Sequence, residues 1–163
     1  MSRHWVVDAS PIILLAKTGH LDLLSASADE LLIPKAVAEE IRQGPSDDPA
    51  RAWLDAEGEQ FVGATGPVPE TVAAWDLGRG ESRVLSVGVR RDGWTAVVDD
   101  GAARRCGKGL DVPVLGTLGV LVVAKREGVL EAVRPATRTL RQAGLHVSDA
   151  VVEPHLRHPP HGG

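Results

Sequence analysis

Apolar residues fall in short runs that polar or turn residues stop abruptly. Trp5-Val6-Val7 is stopped by Asp8, Leu31-Leu32-Ile33 by Pro34, and Trp94 to Val98 by Asp99-Asp100-Gly101. Val112 to Leu115 ends at Gly116, and Phe61-Val62 gives way to Gly63–Pro69, a stretch whose glycines and prolines predict irregular chain. Short runs rich in β-branched and aromatic residues and bounded by such residues predict five buried strands.

Between the runs the apolar spacing changes to three and four. Ser10-Pro11 offers an N-cap and a first-turn proline for a helix through Ile12, Leu14, Leu15 and Ala16; it breaks at Thr18-Gly19 and resumes over Leu21, Leu23 and Leu24. Pro34 opens a second helix with Val37 and Ile41 on one face and Glu39, Glu40 and Arg42 beside them. Further helices are predicted over Ala50–Glu57, over Glu81–Val89 after Gly78-Arg79-Gly80, over Ala102–Cys106, over Leu118–Arg126 after Gly116-Thr117, and over Val129–Ala143. Strands alternating with helices require crossover connections, so the fold class is α/β: three α/β/α layers around a parallel sheet of four to five strands.

Composition adds bounds. A chain of 163 residues, 43% of them hydrophobic, suits one domain, expected over 1–154, with the Pro/Gly/His tail 155–163 expected to be disordered. The lone Cys106 cannot form an internal disulfide and reads as a small buried hydrophobe. Val6-Val7 is too short for a signal-peptide core and no apolar run approaches the roughly 18 residues of a membrane span, so the expectation is a cytoplasmic protein with no membrane partner. The net charge of −4 is uneven: residues 1–100 carry 9 Lys and Arg against 17 Asp and Glu, residues 101–163 carry 9 against 5. A carboxylate-rich half beside a basic half fits a metal site with a phosphate-binding rim.

The acids carry the chemistry. In an open parallel sheet, ligands bind beyond the carboxyl ends of the strands where strand order reverses. Asp8 and the Asp99-Asp100 pair end strands directly, while Glu40 and Glu81 stand on helices that can face the same crevice. Singly, each has an ordinary explanation as a helix cap, a macrodipole partner or a solvated face. Together they would be costly: two carboxylates about 4 Å apart repel by roughly 4 kcal/mol at an effective dielectric of 20. A hard divalent cation, Mg²⁺ or Mn²⁺, suits an all-oxygen set, whereas zinc would recruit Cys or His.

The order of motifs resembles the PIN-domain proteins, particularly a bacterial branch related to VapC-type toxins. Val6-Val7-Asp8-Ala9-Ser10-Pro11 with Gly19 and Leu21-Asp22-Leu23-Leu24 is similar to the first motif, and Ile33-Pro34 with Glu39-Glu40-Ile41 to the second. Gly80-Glu81-Ser82 is similar to the third and Val97-Val98-Asp99-Asp100-Gly101 to the fourth, while Gly116-Thr117-Leu118-Gly119 is typical of the branch. The fourth motif departs from the common pattern in having Val98 and Asp99 where Thr or Ser often precedes the final acid. The resemblance implies a PIN-like fold, a Mg²⁺- or Mn²⁺-dependent endoribonuclease, an RNA substrate and the toxin role in a toxin–antitoxin pair. Antitoxin and homodimer both stay open at this stage.

Carried onto this chain, the resemblance makes Asp8, Glu40, Glu81 and Asp99 or Asp100 the catalytic metal-binding acids, with Asp99 against Asp100 undecided. Ser10 and Thr117 become polar rim residues. Arg104, Arg105 and Lys108, with Lys125 and Arg126, are candidates for the substrate backbone. The alternative is a catalytically silent PIN-like module that binds nucleic acid or a protein. A phospho-acceptor domain wants a lysine after a late strand, where Gly116-Thr117 stands, and an aspartate-nucleophile phosphatase wants a second Asp where Ser10 stands. The histidines of the tail, Gly78-Arg79-Gly80 as a phosphate loop, and the scattered tryptophans as a stacking surface are all set aside.

Overall fold

Trp5, Val6 and Val7 are all buried. Successive strand residues point to opposite faces, so both faces of their strand are covered. That strand, β1 (His4–Val7), is the centre of a computed structural model that describes residues 2–131 and 133–144. The expected disordered tail, 155–163, lies outside the described residues.

From β1 the chain forms α1 (Ala9–Lys17), α2 (Asp22–Ser27), β2 (Glu30–Pro34), α3 (Lys35–Gln43), α4 (Pro49–Ala56), a 3-10 turn (Gly58–Phe61) and β3 (Val62–Gly63). It continues through α5 (Glu70–Ala73), α6 (Arg79–Arg90), β4 (Trp94–Val97), α7 (Gly101–Gly109), β5 (Val114–Leu115), α8 (Thr117–Arg126) and α9 (Val133–Gln142). The five strands form one sheet in the order β3-β2-β1-β4-β5, with every pairing parallel. Trp5 faces Leu31 and Thr95 across the ladders, and Val7 faces Val97. This is the α/β architecture that the alternating pattern predicts.

Local chemistry sets the helix limits. Asp48 caps α4 by accepting from the Ala50 N–H at 2.9 Å, with Pro49 supplying a pre-set φ at the first position. Gly19 takes φ +74° between α1 and α2, the left-handed turn expected at that break.

Three expectations need correction. The last helix begins at Val133, not Val129. Gly128 takes φ +77°, and the Val129 and Leu130 N–H groups both donate to Ala124 O, so these residues finish α8. The fifth strand is confined to Val114–Leu115, and Phe61 belongs to the 3-10 turn. The irregular stretch before α6 is followed by the single turn α5, opened by Pro69 O accepting from Val72 and Ala73 N–H.

The core joins β1, β2 and β4 to α1, α3, α6 and α8, and includes Trp5, Trp94 and Cys106, whose thiol burial pushes up. No helix among the described residues is long and apolar enough to cross a membrane.

Candidate metal-binding active site

The strand order reverses between β1 and β4. The chain moves outward from β1 to β2 and β3, returns through α6, and adds β4 on the other side of β1. Helices leave the sheet in diverging directions at such a point, opening a crevice past the strand ends. A cavity of about 640 Å³ lies there, with Asp8, Ser10, Glu40, Glu81, Asp99 and Asp100 in its wall. Ala9, Ile13 and Leu14 of α1 supply its apolar side.

Asp8 occupies the first position beyond β1, where its N–H continues the ladder by donating to Val97 O at 3.1 Å. It stands at the N-cap of α1, yet its side chain makes no capping bond. The residue is 6% exposed and its Oδ1 is buried without a hydrogen-bond partner. A carboxylate in that condition resists ionisation: burial, with the Glu81, Glu40 and Asp99 carboxylates adding to it, pushes its pKa from 3.8 up to about 7, against the opposing pull of the Ala9 N–H.

Glu40 and Glu81 arrive from two packed helices. Glu40 Oε1 accepts from the Gly80 N–H at 3.0 Å. Close approach of α3 to α6 requires glycine there, because a Cβ on Gly80 would strike that same oxygen. Glu39 is turned away to an ion pair with Arg79 at 2.6 Å. Glu81 sits in the first turn of α6 and accepts from the Gly78 N–H at 3.3 Å. Burial raises its pKa, followed by the charge of Asp100; the Gly78 N–H opposes, and a hydrogen bond shared with Asp100 and the charge of Glu40 raise it further. The charged neighbours acting on Asp8 and Glu81 are all carboxylates.

The Asp99-Asp100 pair divides its work. Asp99 accepts from both the Thr117 N–H at 2.8 Å and the Thr117 hydroxyl at 2.5 Å, pinning the start of α8 to the end of β4. Asp100 caps α7 through Oδ2, which accepts from the Ala103 N–H at 3.0 Å. Thr117 is thus fully buried behind Asp99 and outside the cavity wall. Arg104 reaches across Gly116 beside Asp99, Arg105 is exposed one turn into α7, and Lys108 is exposed in the last turn. None of the three lines the cavity.

Sequence reasoning missed Gly80 as the contact that aims Glu40, and Gly144, which closes the cavity from the end of α9. The Gly80 role carries no local signal, since its partner is 40 residues away.

A family model for the PIN domain matches residues 4–159. The chain belongs to the PIN-domain family. No curated protein matches it. Proteins with PIN domains are generally nucleases that act on nucleic acid, and such nucleases typically use divalent metals.

The PIN site suits that requirement in its donors. A buried Asp8 oxygen without a partner, under the charges of Glu81, Glu40 and Asp99, matches a hard divalent ion. Among the described residues no three His, Cys, Asp or Glu side chains form a preassembled metal shell. Glu40, Glu81 and Asp100 each accept from a backbone N–H, which offsets part of the mutual repulsion. Mg²⁺, which keeps several waters and takes only one or two carboxylates directly, fits an all-oxygen set of this kind.

Proposed function

We propose that this PIN-domain protein is a Mg²⁺- or Mn²⁺-dependent endoribonuclease. The observation that carries the reading is the buried, unpartnered Asp8 Oδ1 in a carboxylate-lined cavity at the sheet's switch point. Asp8, Glu40, Glu81 and Asp100 would hold the ion. When bound, a divalent cation polarises the scissile phosphate and lowers the pKa of a water.

The protein's own groups do the rest. Gly80 and Gly78 N–H groups orient Glu40 and Glu81 before substrate arrives. Asp99 acts as a positioning residue, since both its oxygens are committed to Thr117. Burial and the charge of Asp100 hold the Glu81 carboxyl above its ordinary range in the ion-free protein. Ser10, exposed at the cavity rim, offers a hydroxyl to a phosphate oxygen, and Ile13 and Leu14 line the cavity on the same helix. Arg104 and Arg105, on the first turns of α7, follow Asp100 by four and five residues and take the substrate backbone.

RNA as the substrate and a toxin role rest on the motif resemblance. The assay is cleavage of single-stranded RNA, with single-stranded DNA alongside, by the purified chain in Mn²⁺. Cleavage that stops in chelator and in Asp8→Asn supports the reading; cleavage that persists in either contradicts it. A small DNA-binding protein encoded in the adjacent reading frame would support the toxin role.

A further inference from the structure

Trp75 and Val129 are the large hydrophobic residues left exposed among the described residues, and Trp75 is 39% exposed. Trp75 lies in the link between α5 and α6. Its backbone is anchored by donation from its N–H to Val72 O at 3.0 Å. The following Asp76 holds φ +53°, a left-handed conformation that aspartate adopts more readily than most residues, and turns the chain there.

The ring has a defined seat. Its six-membered edge rests over Gly109 at the end of α7, where a Cβ would come within 2.9 Å of Trp75 Cζ2. Lys108, exposed, is the residue before Gly109. Gly78, three residues after Trp75, lines the carboxylate cavity, so at most about 11 Å of extended chain separates the tryptophan from the wall.

We infer that Trp75, with Lys108 beside it, is a stacking platform for one base of a single-stranded nucleic acid whose backbone enters the carboxylate cavity. The site rests on the nuclease reading above and names how the substrate is gripped. A part-exposed indole offers ring surface on which any base can stack, and the exposed Lys108, next to Gly109 in the chain, brings an ammonium for a backbone phosphate. A single-stranded ligand satisfies both groups at once, because its bases are free to leave the backbone.

The test is oligouridine binding by fluorescence anisotropy, in metal-free buffer and an Asp8→Asn background that blocks cleavage. Trp75→Ala should weaken binding by roughly 5- to 150-fold, the effect of losing one stacked base. Trp75→Leu keeps an apolar side chain over Gly109 and should weaken it as much, whereas Trp75→Phe should retain most of the affinity. Lys108→Ala should lower the slope of affinity against salt by about one charge. Equal affinity for Leu and Phe variants would overturn the stacking assignment while leaving the nuclease reading intact. Loss of self-association in Trp75→Ala with unchanged oligouridine binding would assign the ring to a protein contact and overturn it too. No oligouridine binding by the parent would overturn both readings.

Discussion

The Gly80 N–H donates to Glu40 Oε1 at 3.0 Å, joining the start of α6 to α3 across 40 residues of chain. The contact sets where a cavity carboxylate points, and it exists only because position 80 has no Cβ. Gly80→Ala should therefore separate stability from activity. The methyl group would strike Glu40 Oε1 and lie 3.2 Å from Val37 Cγ2. Overpacking costs about 1–3 kcal/mol, and the helix-propensity gain of alanine offsets about 1 kcal/mol of that. Thermal unfolding should shift by only a few degrees while cleavage falls roughly 10- to 100-fold, as when a residue orienting a metal ligand is lost. A variant that cleaves at the parental rate would show that Glu40 needs no such aim.

Asp8 makes stability fall as pH rises. With its pKa moved from 3.8 to about 7, both folded and unfolded states hold the proton below pH 3.8 and the group costs nothing there. Between the two values the unfolded state releases its proton and the folded state keeps it, so stability declines; above about 7 the full cost, roughly 4 kcal/mol, is present. Asp8→Asn removes that cost. In chelator, denaturant unfolding should show the variant equal to the parent near pH 4 and more stable by several kcal/mol near pH 8. Parallel curves at all pH values would remove Asp8 from the buried-charge account.

Much of the frame was legible in the chain, for identifiable reasons. Strands such as Trp5–Val7 announce themselves because burial on both faces demands unbroken apolar runs, and Asp8 and Asp99 mark strand ends because a charge cannot continue such a run. The end of α8 was misjudged because Val129 and Leu130 are apolar like helix residues, while their N–H groups close the previous helix over Gly128. The division of labour between Asp99 and Asp100 was hidden. It depends on Thr117, 18 residues after Asp99, and adjacency in sequence says nothing about which carboxylate accepts from that threonine.

That division predicts different phenotypes for neighbouring substitutions. Thr117→Val removes a hydroxyl that donates to the Asp99 carboxylate in a buried position, which should cost about 1.5–3 kcal/mol of stability, while Thr117→Ser should cost much less. Asp100→Asn should abolish metal-dependent cleavage with a smaller effect on unfolding than Asp99→Asn. Urea unfolding and cleavage measured on all four variants check both statements, and a reversed ranking of Asp99 and Asp100 would mean the ligand is the other acid.

Binding of a divalent ion should also stabilise the fold. At an Mn²⁺ concentration of 100 times its dissociation constant the gain is about 2.7 kcal/mol. The melting temperature of the parent should rise with Mn²⁺, and that of Asp8→Asn should stay near its metal-free value. Equal rises in both would place the ion elsewhere.

The most direct measurement is calorimetric titration of the full chain with Mn²⁺ in buffers of different ionisation enthalpy. If Asp8 is a ligand, it must lose its proton when the ion binds. Near pH 6 the titration should release close to one proton per ion, near pH 8.5 almost none, and Asp8→Asn should show no saturable binding in the same range. Saturable binding by Asp8→Asn, or no uptake by the parent, would contradict the claim that these carboxylates form a cation site.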